Sequence, residues 1–387
     1  MTSVDIVLDP FSPDFHADPY PTYRRLRDEA PCYFNEAQDW YALSRYDDVL
    51  EASQQPLLYS SAEGTTIERV DTRALPPMMI FLDPPSHDDQ RRLVSRVFTP
   101  RAIAALEPFV RDAARVCLGP LRENGGGDFV QEFSAIVPMN VIMELIGVPA
   151  ADRNQLRLWM DASLERTDTP PYIPRSALEA MASSMGYWES LLADTRAHPR
   201  PGLMSGLVDQ GLPDAEIVGF CALIGSAGTE TLTKLLANAV VLFQRNPSEW
   251  QKVLDDPGTT PGAVEETLRY WAPSQYQGRV LTDAATAHGV TMPAGSRVLM
   301  LTGSANRDER QYADPDRFDI SRASHLPIGF GHGAHFCLGA ALARLEGRVA
   351  LEEFAAAFPR YDIDETKTRR VHMSNVHGFE SVPFTAA

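Results

Sequence analysis

The spacing of apolar residues along the chain predicts a mostly helical protein. Apolar positions recur with the period of an amphipathic helix from about Ser86 to Ala272. The longest of these stretches runs from Asp214 to Asn246, with Pro213 before it and Pro247 after it. A helix of that length would measure roughly 50 Å, which is enough to cross the whole molecule.

Strand patterns are fewer and shorter. The segments with strand-like sequence are Trp40 to Ser44, Arg279 to Thr282 and Arg297 to Thr302. The turn-rich segment Gly289 to Gly295 separates the last two, and Thr167 to Arg175 and His198 to Gly206 have the composition of loops. With no repeat and no long linker, the pattern favours a mainly α fold with a minor β region, in a single domain spanning residues 1–387.

The composition narrows the function classes. The chain has 387 residues, 44% of them hydrophobic and 22% charged, which is typical of a globular protein. Its 35 Lys and Arg against 52 Asp and Glu give a formal net charge of -17, which disfavours general nucleic-acid binding because that requires a basic surface. No apolar run reaches the roughly 18 residues of a membrane span, and the N-terminus has no signal-peptide pattern. We expect a cytoplasmic protein.

A glycine-containing segment around Cys337 has the most specific pattern in the chain. Phe330, Gly333, Cys337 and Gly339 fit Phe-x-x-Gly-x-x-x-Cys-x-Gly, and a helix-like run from Ala340 to Phe358 follows. Such a match occurs by chance in about one chain in a thousand of this length. A thiolate on iron needs backbone donors and a helix N-terminus to stabilise its charge, and glycines let the loop approach a flat macrocycle.

This segment resembles the ligand loop of the cytochromes P450, and the resemblance extends along essentially the whole chain. It implies the triangular P450-like fold with haem b, Cys337 as the axial ligand of the iron and Phe330 as a shield for the sulfur. His335 falls where many bacterial members contact a haem propionate, and Gly339 completes the loop beside the cofactor.

Other interpretations of the same residues are weaker. Cys117 is followed by the same Leu-Gly pair, but Ala113 and Val110 stand where the motif requires Gly and Phe, so we interpret Cys117, Cys221 and Cys32 as structural. Gly329 to Ala334 fits a loose dinucleotide-binding fingerprint without the strand that should precede it. A zinc site would lack a fourth ligand at suitable spacing beside His332, His335 and Cys337.

A run of small residues inside the long predicted helix forms a second motif. Glycines cost a helix interior up to about 1 kcal/mol each, so their presence needs a compensating reason. The run resembles the family's Ala-Gly-x-Asp/Glu-Thr motif at Ala227, Gly228, Glu230 and Thr231. This implies that Gly228 lies beside the haem and that Glu230 and Thr231 are the catalytic pair delivering protons to dioxygen. The alternative is helix packing through small residues, with Glu230 on the surface.

Charged residues further along the chain match two structural features of the family. Glu266 and Arg269 lie one helical turn apart and resemble its Glu-x-x-Arg motif, which an arginine completes; we assign that place to Arg317, with Arg322 as the rival. His87 and Arg91 share a helix face and, with Arg279, match the residues that bind the haem propionates.

By resemblance, a mostly apolar substrate pocket would be lined by Met79, Phe81, Leu223, Ala227, Gln275, Tyr276 and Val376. The implied reaction is insertion of one oxygen atom from O2 into a small organic substrate, by hydroxylation or oxidative dealkylation. NAD(P)H would supply electrons through a ferredoxin reductase and a ferredoxin, and the enzyme would be a monomer. A haem-thiolate sensor or carrier without turnover is the alternative.

Arginines near both motifs suggest where the electron donor would dock. The exposed members of the set would form a basic patch on the thiolate side of the haem, although a merely solvated face remains the alternative. The set comprises Arg92, Arg96, Arg101, Arg344 and Arg348.

Overall fold

The structure is a computed structural model, and it describes residues 6–69, 71–95, 97–323, 327–373 and 375–387. Within those ranges helices predominate. The α-helices are α1 (Pro13–Ala17), α2 (Tyr20–Glu29), α3 (Tyr46–Ser53), α4 (Ser86–Val94), α5 (Pro100–Ala104), α6 (Glu107–Asn124), α7 (Ile136–Ile146), α8 (Arg153–Leu164), α9 (Arg175–Ala197), α10 (Leu203–Asp209), α11 (Asp214–Arg245), α12 (Pro247–Asp255), α13 (Thr260–Tyr270), α14 (Thr302–Ala305) and α15 (Ala340–Ala357).

Short helical turns connect several of these elements. The 3-10 turns are Thr72–Ala74, Met79–Phe81, Pro257–Thr259, Ile328–Phe330, Gly333–His335 and Glu365–Lys367, and Val130–Ser134 is a π-turn.

The strands form small sheets. They are β1 (Cys32–Asn35), β2 (Trp40–Leu43), β3 (Tyr59–Ser60), β4 (Gly126–Asp128), β5 (Gln277–Leu281), β6 (Ala285–Ala287), β7 (Val290–Met292), β8 (Arg297–Met300), β9 (Tyr361–Ile363), β10 (Arg369–Arg370), β11 (Phe379–Ser381) and β12 (Pro383–Ala386). The largest sheet has the order β1-β2-β8-β5-β3. In this sheet β2 and β8 are parallel, and the other neighbouring strands pair in antiparallel fashion. The smaller sheets are β4-β12-β9, β10-β11 and β6-β7.

The long helix α11 passes through the core and confirms the prediction from periodicity. It begins directly after Pro213 and ends before Pro247, and most of its residues are buried. One apolar cluster contains its C-terminal half together with α6, α13 and α15, and a second contains its N-terminal half with α7, α8 and α9. An exception to this burial is a stripe at four-residue spacing, Leu223, Ala227 and Thr231, which is partly or fully accessible.

The structure corrects some element boundaries. The segment from His198 to Gly206 is not a loop throughout, because α10 begins at Leu203. The predicted strand Arg297 to Thr302 ends at Met300, and Thr302 begins α14. The turn-rich segment Gly289 to Gly295 contains β7, the second strand of a short hairpin. Among the described residues, no helix combines the length and apolar character needed to cross a membrane.

Candidate functional site

The loop that precedes α15 holds Cys337 in a tightly constrained backbone. Gly331 and Gly333 have positive φ angles of 70° and 68°, which favour glycine. A Cβ on Gly333 would lie 2.3 Å from the carbonyl oxygen of Ser53, so no other residue fits there without a shift. The Cys337 N–H donates to the Phe330 carbonyl at 2.8 Å, which closes the loop. The sequence spacing therefore produces a rigid loop with Cys337 just before the helix.

The surroundings of Cys337 include groups that stabilise a thiolate. Burial raises the pKa of the thiol, while the backbone N–H of Gly339 and the guanidinium groups of Arg91 and Arg344 act in the opposite direction. Cys337 nevertheless retains accessible surface, so a ligand can reach it. For Cys117, burial raises the pKa of the thiol to about 11.

Four basic side chains assemble beside this loop. His87 is fully buried, and its ring lies 4.4 Å from that of His335. Its Nε2 has no hydrogen-bond partner among the residues that the structure describes. Arg279 is 6% exposed, and burial lowers its pKa to about 10. Burial, followed by the charges of Arg279, His87 and Arg91, lowers the pKa of His335 to about 3. A buried cluster of basic side chains is complementary to an anionic ligand.

Two further residues lie against the loop from neighbouring elements. Arg91 of α4 donates to the carbonyl oxygens of Ala334 and Phe336 at 3.0 and 2.7 Å, so it stabilises the loop through two hydrogen bonds. The Phe330 ring lies under the guanidinium of Arg344, 4.6 Å from its centroid. Phe330 is therefore held in place beside Cys337.

The glycines of the motif region in α11 let neighbouring helices pack closely against it. A Cβ on Gly228 would lie 2.8 Å from Cδ1 of Ile142, so the missing side chain permits α7 to approach α11. A Cβ on Gly225 would likewise lie 2.8 Å from the ring of Trp188 on α9. Gly228 therefore permits close packing of α7 on α11, and its place beside the haem stays a prediction.

Glu230 and Thr231 have distinct environments. The Thr231 hydroxyl donates to the Ala227 carbonyl at 2.9 Å on the accessible stripe of α11. Glu230 is buried rather than on the surface, and its Oε1 lies 2.6 Å from Nζ of Lys234 one turn later. On α8, burial followed by the charge of Glu230 raises the pKa of Asp161 to about 7. Sequence reasoning missed both neighbours, although the four-residue spacing indicates Lys234.

Most of the predicted pocket residues lie near α11 or the end of α8. The Met79–Phe81 turn lies near α11: Gly219 lets the backbone at Pro77 come close, and Met79 packs in the same cluster as the N-terminal half of α11. Leu223 and Ala227 lie on the accessible stripe, and Val376 packs with Leu164 at the end of α8.

Gln275 and Tyr276 do not belong to that pocket, which corrects the prediction for both. Each side chain is fully buried. The Gln275 amide donates to the Ala272 carbonyl at 2.7 Å and to the Tyr20 hydroxyl at 3.4 Å. Tyr276 packs in a cluster with Phe15 and other residues of the N-terminal segments. Both therefore fix the strand β5 to the N-terminal part of the fold.

The Glu266 and Arg269 pair is buried and bidentate, with both N–O distances at 2.8 Å. The third member is Arg322, whose Nε lies 3.3 Å from Oε1 of Glu266. The prediction of Arg317 is wrong, because its exposed side chain pairs with Asp319 instead. Arg317 contributes only its carbonyl oxygen, which accepts from Arg269 and Arg322.

The predicted basic patch is largely neutralised by neighbouring carboxylates. Arg92 pairs with Asp89 at 3.1 Å, and Arg344 pairs with Glu265 at 2.5 Å. Arg348 pairs with Glu107 and Glu352. Arg101 is exposed, and Arg96 lies outside the described residues.

Comparison with known proteins identifies the family. The family model described as Cytochrome P450 matches residues 259–375, which include the triad and the Cys337 loop. Cytochrome P450 123 of Mycobacterium tuberculosis is 43% identical over 390 residues, covering 98% of this chain and 97% of that protein. The chain belongs to the cytochrome P450 family. Vitamin D(3) 25-hydroxylase of Pseudonocardia autotrophica is 38% identical and covers 97% of this P450, which covers 96% of that protein.

The fold comparison agrees. CYP109E1 from Bacillus megaterium, solved in complex with testosterone, superposes with a TM-score of 0.91 at 28% identity, covering 97% of this chain and 99% of that chain. This P450 is therefore a monooxygenase of the oxidoreductase class with haem as its cofactor. The residues present fit haem, since the Cys337 loop offers a thiolate and the buried cluster of His87, Arg91, Arg279 and His335 is complementary to two propionates. The individual roles of these residues remain predictions.

Proposed function

We propose that this P450 takes electrons from an acidic ferredoxin and inserts one oxygen atom of O2 into a bulky, mostly apolar organic substrate. The chain would act as one catalytic domain in the cytoplasm, with NAD(P)H and a ferredoxin reductase upstream. In the overall reaction, the substrate R–H, O2, NAD(P)H and one proton give R–OH, water and NAD(P)+. Haem with a thiolate ligand supplies the oxygen-activating chemistry.

The observation that carries this proposal is the arrangement around Cys337. Cys337 would hold the iron, and the N–H of Gly339 with the positive charge of Arg344 would stabilise the thiolate. His87, Arg279 and His335 would bind the propionates. The unpartnered Nε2 of His87 is a donor or acceptor that a buried site would be expected to satisfy.

Proton delivery would depend on the acid and the alcohol of α11. Thr231 lies on the accessible stripe of the helix, and the preceding residue, Glu230, is buried. Thr231 would hold a proton at its hydroxyl, and Glu230 would resupply it. Two protons accompany the two electrons of each turnover, so a route through the protein is required.

The substrate class follows from the pocket and from the relatives. Met79, Phe81, Leu223, Ala227 and Val376 would give an apolar lining with few hydrogen-bonding groups. One relative carries the name of a vitamin D3 hydroxylase, and a structural neighbour binds testosterone. We therefore propose a rigid polycyclic or similarly bulky apolar molecule, hydroxylated or oxidatively dealkylated.

The donor would dock on the face that surrounds the Cys337 loop. We call the residues Arg92, Arg101, Phe336 and Arg344 the docking surface. Phe336 is an exposed aromatic on the ligand loop itself, and the three arginines lie on α4, α5 and α15. An apolar centre with a charged rim is typical of an interface for another protein.

The test is product formed per NAD(P)H in a system reconstituted with ferredoxin. Thr231→Ala should retain haem and substrate binding but lower this ratio about tenfold, with peroxide released instead, because proton supply is impaired. Thr231→Ser should restore most of the yield. Thr233→Ala is the matched control, since that hydroxyl is buried and donates to the Thr229 carbonyl.

Unchanged yield in Thr231→Ala would contradict the proposed proton route. If wild-type protein instead consumed no oxygen with any bound compound, a sensor or carrier without turnover would replace the proposal.

A further inference from the structure

A buried arginine of β8 holds the backbone of residues 63–68, which we call the anchored segment. Arg297 is 1% exposed. Its Nη1 donates to the carbonyl oxygen of Gly64 at 3.0 Å, and its Nη2 donates to those of Glu63 and Glu68 at 2.8 and 2.9 Å. Hydrogen bonds from a charged donor are stronger than those between neutral groups. One guanidinium therefore ties both ends of the anchored segment to the sheet.

Strand register separates Arg297 from the site around Cys337. Arg279 pairs with Val298, and Val280 pairs with Arg297. Because successive side chains of a strand point to opposite faces of a sheet, the side chains of Arg279 and Arg297 lie on opposite faces. Arg279 belongs to the buried basic cluster, whereas Arg297 faces the anchored segment. Its contacts are therefore distinct from those of the proposed propionate site.

The backbone of the anchored segment also lies directly on β5. The N–H of Gly278 donates to the Thr65 carbonyl at 2.7 Å. A Cβ on Gly278 would lie 2.3 Å from the carbonyl oxygen of Thr66, so glycine permits this close approach. Ile67 is buried in the apolar cluster that includes residues of the N-terminal segments. The segment is thus fixed against β5 and β8 along its length.

The last residue of the anchored segment contacts the connection between α8 and α9. The Glu68 carboxylate forms an ion pair with Nε of Arg166, and the two side chains are only 12% and 8% exposed. The backbone N–H of Arg166 donates to the His372 carbonyl at 3.0 Å. Because Arg297 holds the Glu68 carbonyl, it fixes the position from which the carboxylate meets Arg166.

This ion pair joins two parts of the chain that carry predicted pocket residues. Arg166 follows α8, and Leu164 at the end of α8 packs against Val376. The anchored segment leads along the chain to the Met79–Phe81 turn. The pair of Glu68 and Arg166 therefore connects two walls of the predicted substrate pocket.

We propose that Arg297 is a positioning residue for the substrate pocket, which presents Glu68 to Arg166 so that their ion pair retains a bulky ligand. This rests on the proposed function, because it concerns the pocket of the same reaction. Loss of these contacts should shorten the residence of bulky ligands and leave the haem environment unaffected. The contrasting explanation is an arginine that only stabilises the sheet.

Three variants separate these explanations. Arg297→Lys keeps the positive charge, but an ammonium lacks the planar fork that serves three carbonyl oxygens. Glu68→Gln removes the charge of the ion pair without changing β8, so it tests the proposal even where Arg297→Lys does not fold. Arg69→Lys is the matched control, because the Arg69 side chain is 53% exposed and donates to the Gly295 carbonyl at 2.8 Å.

The first measurement is the rate at which phenylimidazole, which binds haem iron through its nitrogen, dissociates from the holoenzyme in stopped-flow absorbance. Arg297→Lys and Glu68→Gln should each accelerate this dissociation about tenfold. The association rate of carbon monoxide should stay unchanged, because that ligand is too small for the pocket walls to retain. Arg69→Lys should match wild type for both ligands.

Two outcomes of this measurement would overturn the proposal. Unchanged phenylimidazole dissociation in Glu68→Gln would mean that the ion pair does not retain ligands. A carbon monoxide rate that changes in Arg297→Lys as much as the phenylimidazole rate would indicate a general disturbance of the haem site.

The second measurement is the same dissociation rate in the double variant Arg297→Lys with Glu68→Gln. If Arg297 acts through Glu68, the double variant should release phenylimidazole no faster than either single variant, since each removes the same contact. Accelerations that multiply to about a hundredfold would show that Arg297 acts independently of Glu68, and would overturn the proposal.

Failure of this inference is distinguishable from failure of the proposed function. Normal phenylimidazole dissociation in the variants beside product formation by wild type would refute the role of Arg297 alone. Wild-type protein that consumes no oxygen with any bound compound would refute the proposed function instead.

Discussion

Cys117 and Cys337 differ in the neighbouring groups that act on the pKa of the thiol. Cys117 and Cys337 are each followed by Leu-Gly, and burial raises the pKa of both thiols. Only Cys337 has a backbone N–H and two guanidinium groups acting to lower it. The glycines of this loop are visible in the sequence, which is why its tight backbone conformation could be predicted.

A buried histidine leads to a pH prediction at the same scale. His16 is 4% exposed, and burial followed by His372 lowers its pKa from 6.5 to about 3. Below pH 6.5 the unfolded chain binds a proton that the folded chain excludes, so stability falls as pH falls. The contribution is about 1.4 kcal/mol per pH unit between 6.5 and about 3.

In wild type, unfolding in this pH interval is accompanied by uptake of about one proton at His16. Replacing His16 with Phe should remove that uptake and make the unfolding free energy less dependent on pH. The measurement is denaturant unfolding of wild type and His16→Phe at several pH values. Parallel curves for the two proteins would mean that His16 titrates normally in the folded state.

Some residues of the site could not be predicted from the sequence. Asp161 is separated from Glu230 by almost seventy positions, and the effect of the Glu230 charge on the pKa of Asp161 depends on how α8 packs against α11. Gln275 and Tyr276 were placed by resemblance, but buried partners in the N-terminal segments determine their orientation. Such contacts depend on tertiary packing, which a local pattern does not contain.

At the scale of elements, long periodic segments were predicted well and short ones were not. The 32-residue helix α11 lies between two prolines, and both signals agree. The seven-residue helix α10 lacks a side-chain cap, and Leu203, Met204 and Leu207 stabilise it through the core shared with α9 and α11. Short helices depend on such contacts more than on propensity.

The triad gives a prediction for the element that supports the ligand loop. Arg322→Ala should lower the free energy of unfolding by about 2 to 3 kcal/mol and accelerate haem loss, because it leaves the buried Glu266 short of a partner. Arg317→Ala is the control and should change stability by less than about 0.5 kcal/mol, since its pair is exposed. Thermal unfolding and haem transfer to an acceptor protein measure both effects. A larger effect at Arg317 would reverse the assignment.

For the whole molecule, the acidic surface constrains how a partner approaches. The formal net charge is -17, so an acidic ferredoxin would be repelled except where local positive charge compensates. The sequence places arginines near the loop but does not reveal that Asp89 and Glu265 pair with two of them. The docking surface is therefore less positive than the arginine count indicates.

A double variant tests that surface. Arg92→Glu with Arg101→Glu should raise the ferredoxin concentration for half-maximal turnover about tenfold at low salt, with a smaller difference at high salt. Substrate-induced spectral shifts should stay unchanged. Arg175→Glu is the control, an exposed arginine on α9 outside the docking surface. Equal donor affinity in both variants would show that the donor docks elsewhere.

The central claim is that Cys337 is the thiolate ligand of the haem iron, and the carbon monoxide spectrum of the reduced holoenzyme tests it most directly. Wild type and Cys117→Ala should both show the red-shifted Soret band of thiolate ligation, because Cys117 lies outside the ligand loop. Cys337→Ala should lose that band. A normal thiolate spectrum from Cys337→Ala would contradict the account.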